Sequence, residues 1–276
     1  MAEILIPKLA PPATSAAAAK TGPALIEIED VSLCYGAARA LKNISLKLDE
    51  KVVTAFIGPS GCGKSTLLNM IAGLYMPSKG RVIYKGAAVT DVNTDVGYMT
   101  QKDNLLPWRN VRDNIAFPLE LAGVDKAERE ARADAVVKQV GLDGFETRFP
   151  TELSGGMRKR ACLARMMLYG AETALLDEPF AALDAQLKLV MHELLLRLAA
   201  DSGQTVVFVT HDLMEAVTLA DRVIVCTRRP AMIALEQEIP LPRPRDVLNV
   251  RFTNEFKELY DALWERLRVE YQEERV

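Results

Sequence analysis

The sequence predicts an α/β protein in which helices cover a mostly parallel sheet. Three short apolar runs, residues 52–57, 174–176 and 206–210, have the composition of buried strands, and each adjoins sequence of helical character. Strands that alternate with helices need crossover connections, and these favour parallel pairing. The chain has 276 residues, of which 49% are hydrophobic and 26% are charged. That composition is ordinary for a globular protein, and the length allows one large domain with an appendage.

Further elements are predicted before and after the first apolar run. Tyr35 and Gly36 open a turn between two early strands. The predicted strands of this part of the chain are residues 25–33, 44–48, 81–84 and 96–99. Between residues 111 and 140, charged clusters alternate with an apolar register that is typical of helix. We therefore expect residues 102–158 to form a helical insertion within the α/β core.

The two ends of the chain differ in composition from its centre. Residues 1–23 are rich in Ala, Pro and Ser and lack a basic segment followed by an apolar core, so a flexible tail is predicted rather than a secretory signal. Pro240, Pro242 and Pro244 predict an extended linker. Residues 254–271 carry apolar side chains at helical spacing and predict an amphipathic helix. We expect this helix to pack on the main domain; a regulatory or partner contact is the alternative.

Charge and cysteine usage exclude several classes of protein. A net charge of −3 argues against a broad nucleic-acid-binding surface. The four cysteines have no paired spacing, so neither a zinc site nor a disulfide framework is predicted. No apolar run approaches the roughly 20 residues that span a bilayer. If the protein acts at a membrane, we expect a partner protein to attach it there.

Residues 58–66, GPSGCGKST, have the spacing of a phosphate-binding P-loop. The glycines let the backbone curl so that successive N–H groups point at an anion. In this motif Lys64 reaches the β- and γ-phosphates and the Ser65 hydroxyl binds Mg²⁺. An apolar strand before the loop and a helix over residues 65–72 after it supply the context that the motif requires. The chain is therefore predicted to bind a nucleoside triphosphate.

The predicted strand at residues 174–176 ends in two carboxylates. Asp177 is placed to hold Mg²⁺ through water, because Mg²⁺ keeps several waters and takes few carboxylates. Glu178 can accept a proton from an attacking water or orient that water against a γ-phosphate. A strand that ends in two acids is by itself equally consistent with a solvated edge. Beside a P-loop, the pair predicts hydrolysis of the nucleotide.

A second glycine turn, Ser154-Gly155-Gly156, opens a predicted helix. Its N–H groups and the Ser154 hydroxyl can form another anion site, although Ser154 can also be a simple helix N-cap. A chain with one P-loop does not need two phosphate cradles of its own. We therefore expect this turn to contact the γ-phosphate bound by a second copy of the chain.

These motifs, in this order, resemble the ATPase subunits of ATP-binding-cassette (ABC) transporters, and the resemblance covers roughly residues 25–235. It implies a P-loop NTPase (RecA-like) core with an antiparallel β subdomain, an inserted helical subdomain at about residues 102–158 and a C-terminal helical extension. The implied division of the chain is a tail at 1–23, an ABC ATPase domain at 24–238, and a linker with a C-terminal helix at 239–276. The implied nucleotide is ATP, and the implied metal is Mg²⁺.

The resemblance also implies a role for individual residues. Tyr35 would stack on adenine, although core packing also suits a tyrosine there. Gln101 would touch Mg²⁺ together with Ser65 and Asp177, and His211 would join Glu178 and Lys64 in catalysis. The other residues implied to bind the nucleotide are Gly58, Pro59, Ser60, Gly61, Cys62, Gly63, Thr66, Ser154, Gly155, Gly156 and Asp184. His192, within a Leu-rich helix, is expected to be a bystander.

Residues 105–120, 177–185, 208–216, 219–225 and 241–245 are similar to importer subunits of the nitrate/sulfonate/taurine group. This implies uptake of a small anionic solute through a membrane permease fed by a separate solute-binding protein. It also implies a homodimer of ATPase subunits, attached peripherally at the cytoplasmic face of the membrane, and no nucleic-acid partner. Trp108 and Phe117 would lie in the groove that receives the permease, with core packing as the alternative for each.

Two alternatives belong to other classes of protein. One is a soluble ABC ATPase that acts on nucleic acid or ribosomes; the single cassette and the acidic charge weigh against it. The other is a nucleotide sensor without activity, which Glu178 and His211 disfavour. Met157 and Lys159 depart from the usual glutamines of the signature segment, but neither change removes a phosphate, metal or base contact.

Overall fold

The computed structural model describes residues 24–181 and 183–272, so the predicted tail at 1–23 lies outside the described residues. Strands in the described part form two sheets. In chain order they are β1 (Ile26–Tyr35), β2 (Ala38–Leu48), β3 (Val53–Ile57), β4 (Lys79–Tyr84), β5 (Ala87–Ala88), β6 (Val96–Met99), β7 (Thr173–Asp177), β8 (Thr205–Val209), β9 (Arg222–Cys226) and β10 (Ile233–Glu238).

One sheet is antiparallel and the other is almost wholly parallel. The first has four strands in the order β2-β1-β4-β5. The second has six, in the order β10-β9-β3-β8-β7-β6, and only the edge pair β10–β9 is antiparallel. This arrangement confirms the predicted parallel core with a separate antiparallel β part.

The helices connect and cover these strands. They are α1 (Lys64–Ile71), α2 (Val111–Leu121), α3 (Lys126–Gln139), α4 (Gly155–Tyr169), α5 (Ala185–Ser202), α6 (Leu213–Leu219) and α7 (Asn254–Gln272). Five of them begin after a side chain that accepts a hydrogen bond from the first turn, as is typical of N-caps: Asn110, Asp125, Ser154, Asp184 and Asp212.

The parallel sheet lies between two apolar layers. Along β3, the side chains of Val53, Ala55 and Ile57 join the layer formed with the helices, whereas Phe56 joins the layer formed with the antiparallel sheet and α1. Every residue of β3 is buried, as expected for a strand covered on both faces. The P-loop therefore leaves the centre of the core, where its backbone position is strongly determined.

The region of helical pattern over residues 111–140 forms two helices, α2 and α3. The chain turns between them at Gly123, whose φ of +75° lies in the left-handed region. The buried Asn114 amide ties the preceding loop to α2 by donating to the carbonyl oxygens of Leu106 and Arg109 at 3.1 and 2.9 Å. Both helices pack near α4, so the loop before α2 is held close to it.

The C-terminal segment is attached to the core more firmly than a free linker would be. The Arg245 side chain is 1% exposed and donates to the carbonyl oxygens of Thr218 and Ile239 at 3.2 and 3.1 Å. Its guanidinium also pairs with Asp221 at 3.3 Å. Burial lowers the pKa of Arg245 to about 10. The structure thus differs from the extended linker that the prolines predict. Carbonyl oxygens and a carboxylate from elsewhere in the fold bind Arg245 of this Pro/Arg segment, residues 240–245.

The predicted amphipathic helix is α7, and its apolar stripe packs on the core through the buried Phe256, Leu263 and Leu267. This confirms the expected packing of the stripe. None of the helices in the described residues has the length and apolar character needed to cross a bilayer.

Candidate functional site

The P-loop joins β3 to α1 and depends on glycine at two positions. Gly58 has a φ of +151°, and a Cβ there would lie 2.6 Å from the carbonyl oxygen of Cys226. Gly63 has a φ of +130°, and a Cβ there would lie 2.7 Å from Leu41 Cδ2. A side chain is therefore opposed by backbone strain at both positions, and at Gly58 also by contact with the backbone of the neighbouring strand. The two glycines let the loop close tightly over the sheet edge.

Lys64 lies at the centre of this loop. Its buried ammonium donates to the carbonyl oxygens of Gly58 and Pro59, both at 2.8 Å, and lies 3.7 Å from Cys62 Sγ. A cation enclosed by the loop backbone faces the same space as the loop N–H groups. The site is thus positively polarised at the point where phosphates are expected.

Ser65 and Asp177 form the oxygen pair that the sequence predicts for a metal. The Ser65 hydroxyl donates to Asp177 Oδ1 at 3.0 Å. Burial raises the pKa of the Asp177 carboxyl above its usual range, and the hydrogen bond from Ser65 partly opposes this effect. A buried carboxylate paired with one hydroxyl suits a hard divalent cation. Mg²⁺ fits this set, because it takes few protein carboxylates and completes its shell with water and phosphate oxygens.

Glu178 brings together two other predicted residues. Its Oε2 accepts a hydrogen bond from Gln101 Nε2 at 3.3 Å, and its Oε1 lies 3.5 Å from His211 Nδ1. The register of the parallel sheet explains the meeting, because Asp177 on β7 pairs with Val209 on β8, immediately before the loop that carries His211. The His211 side chain is 57% exposed, so it can reach a bound molecule.

The backbone at Glu178 is itself unusual. Its φ is +49°, a conformation that residues with a Cβ rarely adopt, and its N–H donates to the carbonyl oxygen of Val209 at 3.0 Å. Such positions persist where the surrounding structure holds them, and they occur at functional sites. Here the bend turns the carboxylate away from the strand and towards Gln101 and His211.

Tyr35 lies beside the P-loop at the end of β1. Its hydroxyl is 3.4 Å from the Thr66 hydroxyl, and its ring packs edge-to-face against Tyr75 with centroids 6.0 Å apart. The Tyr35 side chain is exposed rather than buried in the core. The position leaves a ring face available next to the phosphate site.

The residues of the second glycine turn lie apart from this cluster. Among the described residues, Ser154 makes its hydrogen bonds within its own helix, accepting from the N–H groups of Met157 and Arg158. Asp184 likewise caps α5 by accepting from Leu187 N–H at 2.9 Å. Both side chains are exposed. One chain therefore gathers Lys64 and the Asp177–Glu178 pair at the P-loop, whereas Ser154, Gly155 and Gly156 open a helix elsewhere on its surface.

The loop that carries Gln101 is bound to α4 by contacts that the sequence did not predict. The Lys159 ammonium donates to the Gln101 carbonyl oxygen and lies 3.7 Å from Asp103 Oδ1. Arg158 pairs with the same carboxylate at 2.8 Å, and Cys162 Sγ donates to the Asp103 carbonyl oxygen at 2.5 Å. Lys159 is noticeable in the sequence only as a departure from the usual glutamine. In the structure the Lys159 side chain is buried, and a buried ammonium needs acceptors such as the Gln101 carbonyl oxygen.

A cavity of about 370 Å³ opens beside this loop. Residues of the Gln101 loop, α2 and α4 line it, among them Asp103, Phe117, Cys162 and Arg165. Trp108 is not among the lining residues and is 71% exposed. The cavity thus shares a wall with the loop that positions Gln101.

The family model for ABC transporters matches residues 41–181 of this chain, which span the P-loop and the Asp177–Glu178 pair. The chain belongs to the ABC transporter family. This membership confirms the resemblance and the fold predicted from the motifs. The chain is accordingly an ABC-family ATPase, with ATP as its nucleotide.

Relatives with curated names agree with this assignment. The chain is 44% identical to the aliphatic sulfonates import ATP-binding protein SsuB 1 of Xanthomonas axonopodis pv. citri over 77% of this chain and 84% of the relative. It is 41% identical to the taurine import ATP-binding protein TauB of Escherichia coli (strain 536) over 79% and 84%. A solved structure of the ATP-binding cassette MJ0796, a dimer in a post-hydrolysis state bound to ADP and Pi, superimposes with a TM-score of 0.71. That structure is 30% identical, over 78% of this chain and 98% of MJ0796.

Proposed function

We propose that this chain is the ATP-hydrolysing subunit of an importer for small anionic solutes, with sulfonates such as taurine as the favoured class. The convergence of Gln101 and His211 on the Glu178 carboxylate, next to the P-loop, carries the proposal of hydrolysis. The solute class rests on the named relatives, which are import ATP-binding proteins for aliphatic sulfonates and for taurine. Nitrate is the alternative solute within the same importer group.

Each side chain in the site then has a specific task. Lys64 and the loop N–H groups neutralise phosphate charge, since phosphoryl transfer depends on positioning and electrostatics more than on covalent chemistry. Glu178 orients the attacking water and accepts its proton, and His211 contacts the γ-phosphate. Tyr35 offers its exposed ring to the adenine.

Ser65, Gln101 and Asp177 are proposed to hold Mg²⁺. The ion would neutralise charge on the phosphate oxygens while the γ-phosphoryl group is transferred to water. Among the described residues there is no group of three or more His, Cys, Asp or Glu side chains that could hold a metal. A site that relies on one carboxylate, a hydroxyl and an amide is consistent with that finding, because Mg²⁺ retains several waters.

Two copies are proposed to sandwich two ATP molecules head to tail. Ser154, Gly155 and Gly156 form the exposed start of α4, where N–H groups and the helix dipole can contact the γ-phosphate on the second copy. Asp184 lies at the start of α5 and faces the same partner. The dimeric state of the MJ0796 cassette supports this arrangement. Each site is then completed only when the two copies meet, as two-fold symmetry requires.

The remaining partners are a membrane permease and a solute-binding protein that delivers cargo to it. The cavity lined by the Gln101 loop and Phe117 is the proposed contact for the permease. Thr100 and Lys102 line this cavity, so a permease segment that moves within it would shift the loop that carries Gln101. The chain would attach peripherally at the cytoplasmic face of the membrane. No helix of the described residues offers a bilayer span of its own.

Reconstitution tests the solute and the partner together. The chain is assembled with its permease and binding protein in proteoliposomes, and ATP hydrolysis is measured with taurine, an alkanesulfonate, nitrate or no solute. We expect taurine or the alkanesulfonate to stimulate hydrolysis and nitrate to leave it unchanged. Stimulation by nitrate alone would reject the sulfonate class. Co-purification with ribosomes or DNA instead of a permease would reject the importer itself.

A further inference from the structure

An ion pair between a half-buried lysine and a buried glutamate joins α5 to the start of α6, next to His211. The Lys188 ammonium on α5 donates to Glu215 Oε1 at 2.8 Å and lies 3.5 Å from Asp212 Oδ2. The Glu215 side chain is only 6% exposed. Burial alone would lower the pKa of Lys188, but the hydrogen bond and charge of Glu215, with Asp212, outweigh it and raise that pKa. The ammonium is therefore charged and committed to this pair.

The same glutamate holds the residue before His211. Thr210 Oγ1 donates to Glu215 Oε2 at 2.5 Å and accepts from Asp212 N–H at 3.0 Å. Asp212 in turn accepts from the N–H groups of Met214 and Glu215 as the N-cap of α6. His211 thus lies between Thr210, which donates to the Glu215 carboxylate, and Asp212, which donates to the Thr210 hydroxyl and lies 3.5 Å from Lys188. A shift of the His211 backbone would therefore disturb the contacts of the residues on either side of it.

One turn along α5, His192 contacts the segment after Glu178. Its ring packs edge-to-face on Phe180, with centroids 4.5 Å apart, and its Nε2 lies 3.9 Å from Glu215 Oε1. Phe180 is two residues beyond Glu178 and is fully buried. The first two turns of α5 therefore touch both the Glu178 segment and the His211 segment. The N-cap of this helix is Asp184, one of the residues proposed to face the second copy.

We infer that Lys188 and Glu215 are positioning residues for hydrolysis: their ion pair fixes the His211 loop to α5, so that His211 and Glu178 are held together at the start of a helix that faces the second copy. Neither side chain touches the nucleotide. The inference rests on the proposed roles of Glu178 and His211. It explains why His211 Nδ1 is held 3.5 Å from Glu178 Oε1. Loss of the pair should impair turnover while leaving nucleotide binding at Lys64 intact.

The test compares K188M and E215Q with R197M, a matched charge removal on the same helix. Arg197 pairs with Glu193 on α5 itself, and its side chain is 50% exposed. We expect K188M and E215Q to lower kcat for ATP hydrolysis at least tenfold, with KM for ATP changed less than twofold. We expect R197M to retain more than half of the wild-type kcat. K188R keeps a donor for both carboxylates, so it should recover at least a third of the wild-type kcat.

Several results would overturn the inference. One is a kcat for K188M equal to that of R197M. Another is a KM for ATP that rises in K188M or E215Q by the same factor as kcat falls. A third is a K188R variant that is no more active than K188M. If K188M does not fold, E215Q and K188R decide the matter by the same criteria. The E178Q variant is measured alongside: if it retains the wild-type rate, the proposed role of Glu178 fails. Loss of activity in E178Q with full activity in K188M rejects the positioning role alone.

Discussion

Acid should destabilise this fold through His192, and replacing this residue with leucine should remove the effect. Burial lowers the pKa of His192 from 6.5 to about 4, and the charge of Lys188 acts in the same direction. Its Nε2 has no hydrogen-bond partner among the described residues, and the charge of Asp212, which favours protonation, does not offset the effect of burial. The ring is therefore neutral in the native protein near pH 7, and its approach to Glu215 is not an ion pair.

The sign of the effect follows from where the proton binds. Above pH 6.5 the ring is neutral in both the folded and the unfolded chain, so the full stability is present. As the pH falls towards 4, His192 binds a proton in the unfolded chain but stays neutral in the folded chain. The free energy of unfolding therefore decreases. With these two pKa values the loss at pH 5 is about 2 kcal/mol relative to pH 7.5.

Urea denaturation of the wild type and of His192→Leu at pH 7.5 and pH 5 measures this term. The substitution has its own packing effect against Phe180, which appears at both pH values and cancels in the comparison. We expect the wild type to lose about 2 kcal/mol more than the variant between the two pH values. Equal losses in the two proteins would refute the assignment of a neutral, buried His192.

Three further substitutions test the site and its supports. Glu178→Gln should bind ATP and accumulate as a closed dimer in light scattering, with kcat reduced at least about 100-fold because the base is lost; a wild-type rate would remove Glu178 from that role. Gly58→Ala places a Cβ 2.6 Å from the Cys226 carbonyl oxygen at a strained φ, so it should lower the free energy of unfolding by about 1–3 kcal/mol and weaken ATP binding; unchanged binding by calorimetry would contradict the tight loop. Lys159→Met removes a charged donor from the Gln101 carbonyl oxygen and should cost about 1.5–3 kcal/mol in urea unfolding, against less than about 0.5 kcal/mol for Arg132→Met on the exposed face of α3; equal costs would show that the buried contact is not stabilising.

The P-loop could be predicted because its chemistry is local. Glycines and a lysine at fixed spacing determine the loop conformation whatever surrounds them, and the apolar run of β3 supplies the strand. The meeting of Gln101, Glu178 and His211 is different in kind. It depends on the parallel order of β6, β7 and β8, which follows from the family resemblance and not from spacing.

Charged side chains whose partners are distant in sequence are the least predictable part of the molecule. Lys159, Lys188 and Arg245 occur in polar or helical sequence where a solvated side chain is the ordinary expectation. Each is held by acceptors distant in sequence: the Gln101 carbonyl for Lys159, Glu215 for Lys188, and the end of α6 for Arg245. Sequence pattern reports the period of a helix but not what packs against its polar face. For the same reason, the prolines of residues 240–245 predict an extended linker and give no sign of the contacts made by Arg245.

Mixing two inactive variants tests most directly whether the site is shared between copies. Lys64→Ala lacks a working P-loop and Ser154→Arg lacks a working second glycine turn, so each alone should be inactive. In a head-to-tail dimer, one of each variant rebuilds one complete site. We expect the 1:1 mixture to recover about a quarter of the wild-type ATPase rate, because half of the dimers are mixed and each has one intact site of two. A mixture no more active than its separate components, or a fully active Ser154→Arg protein, would contradict the account.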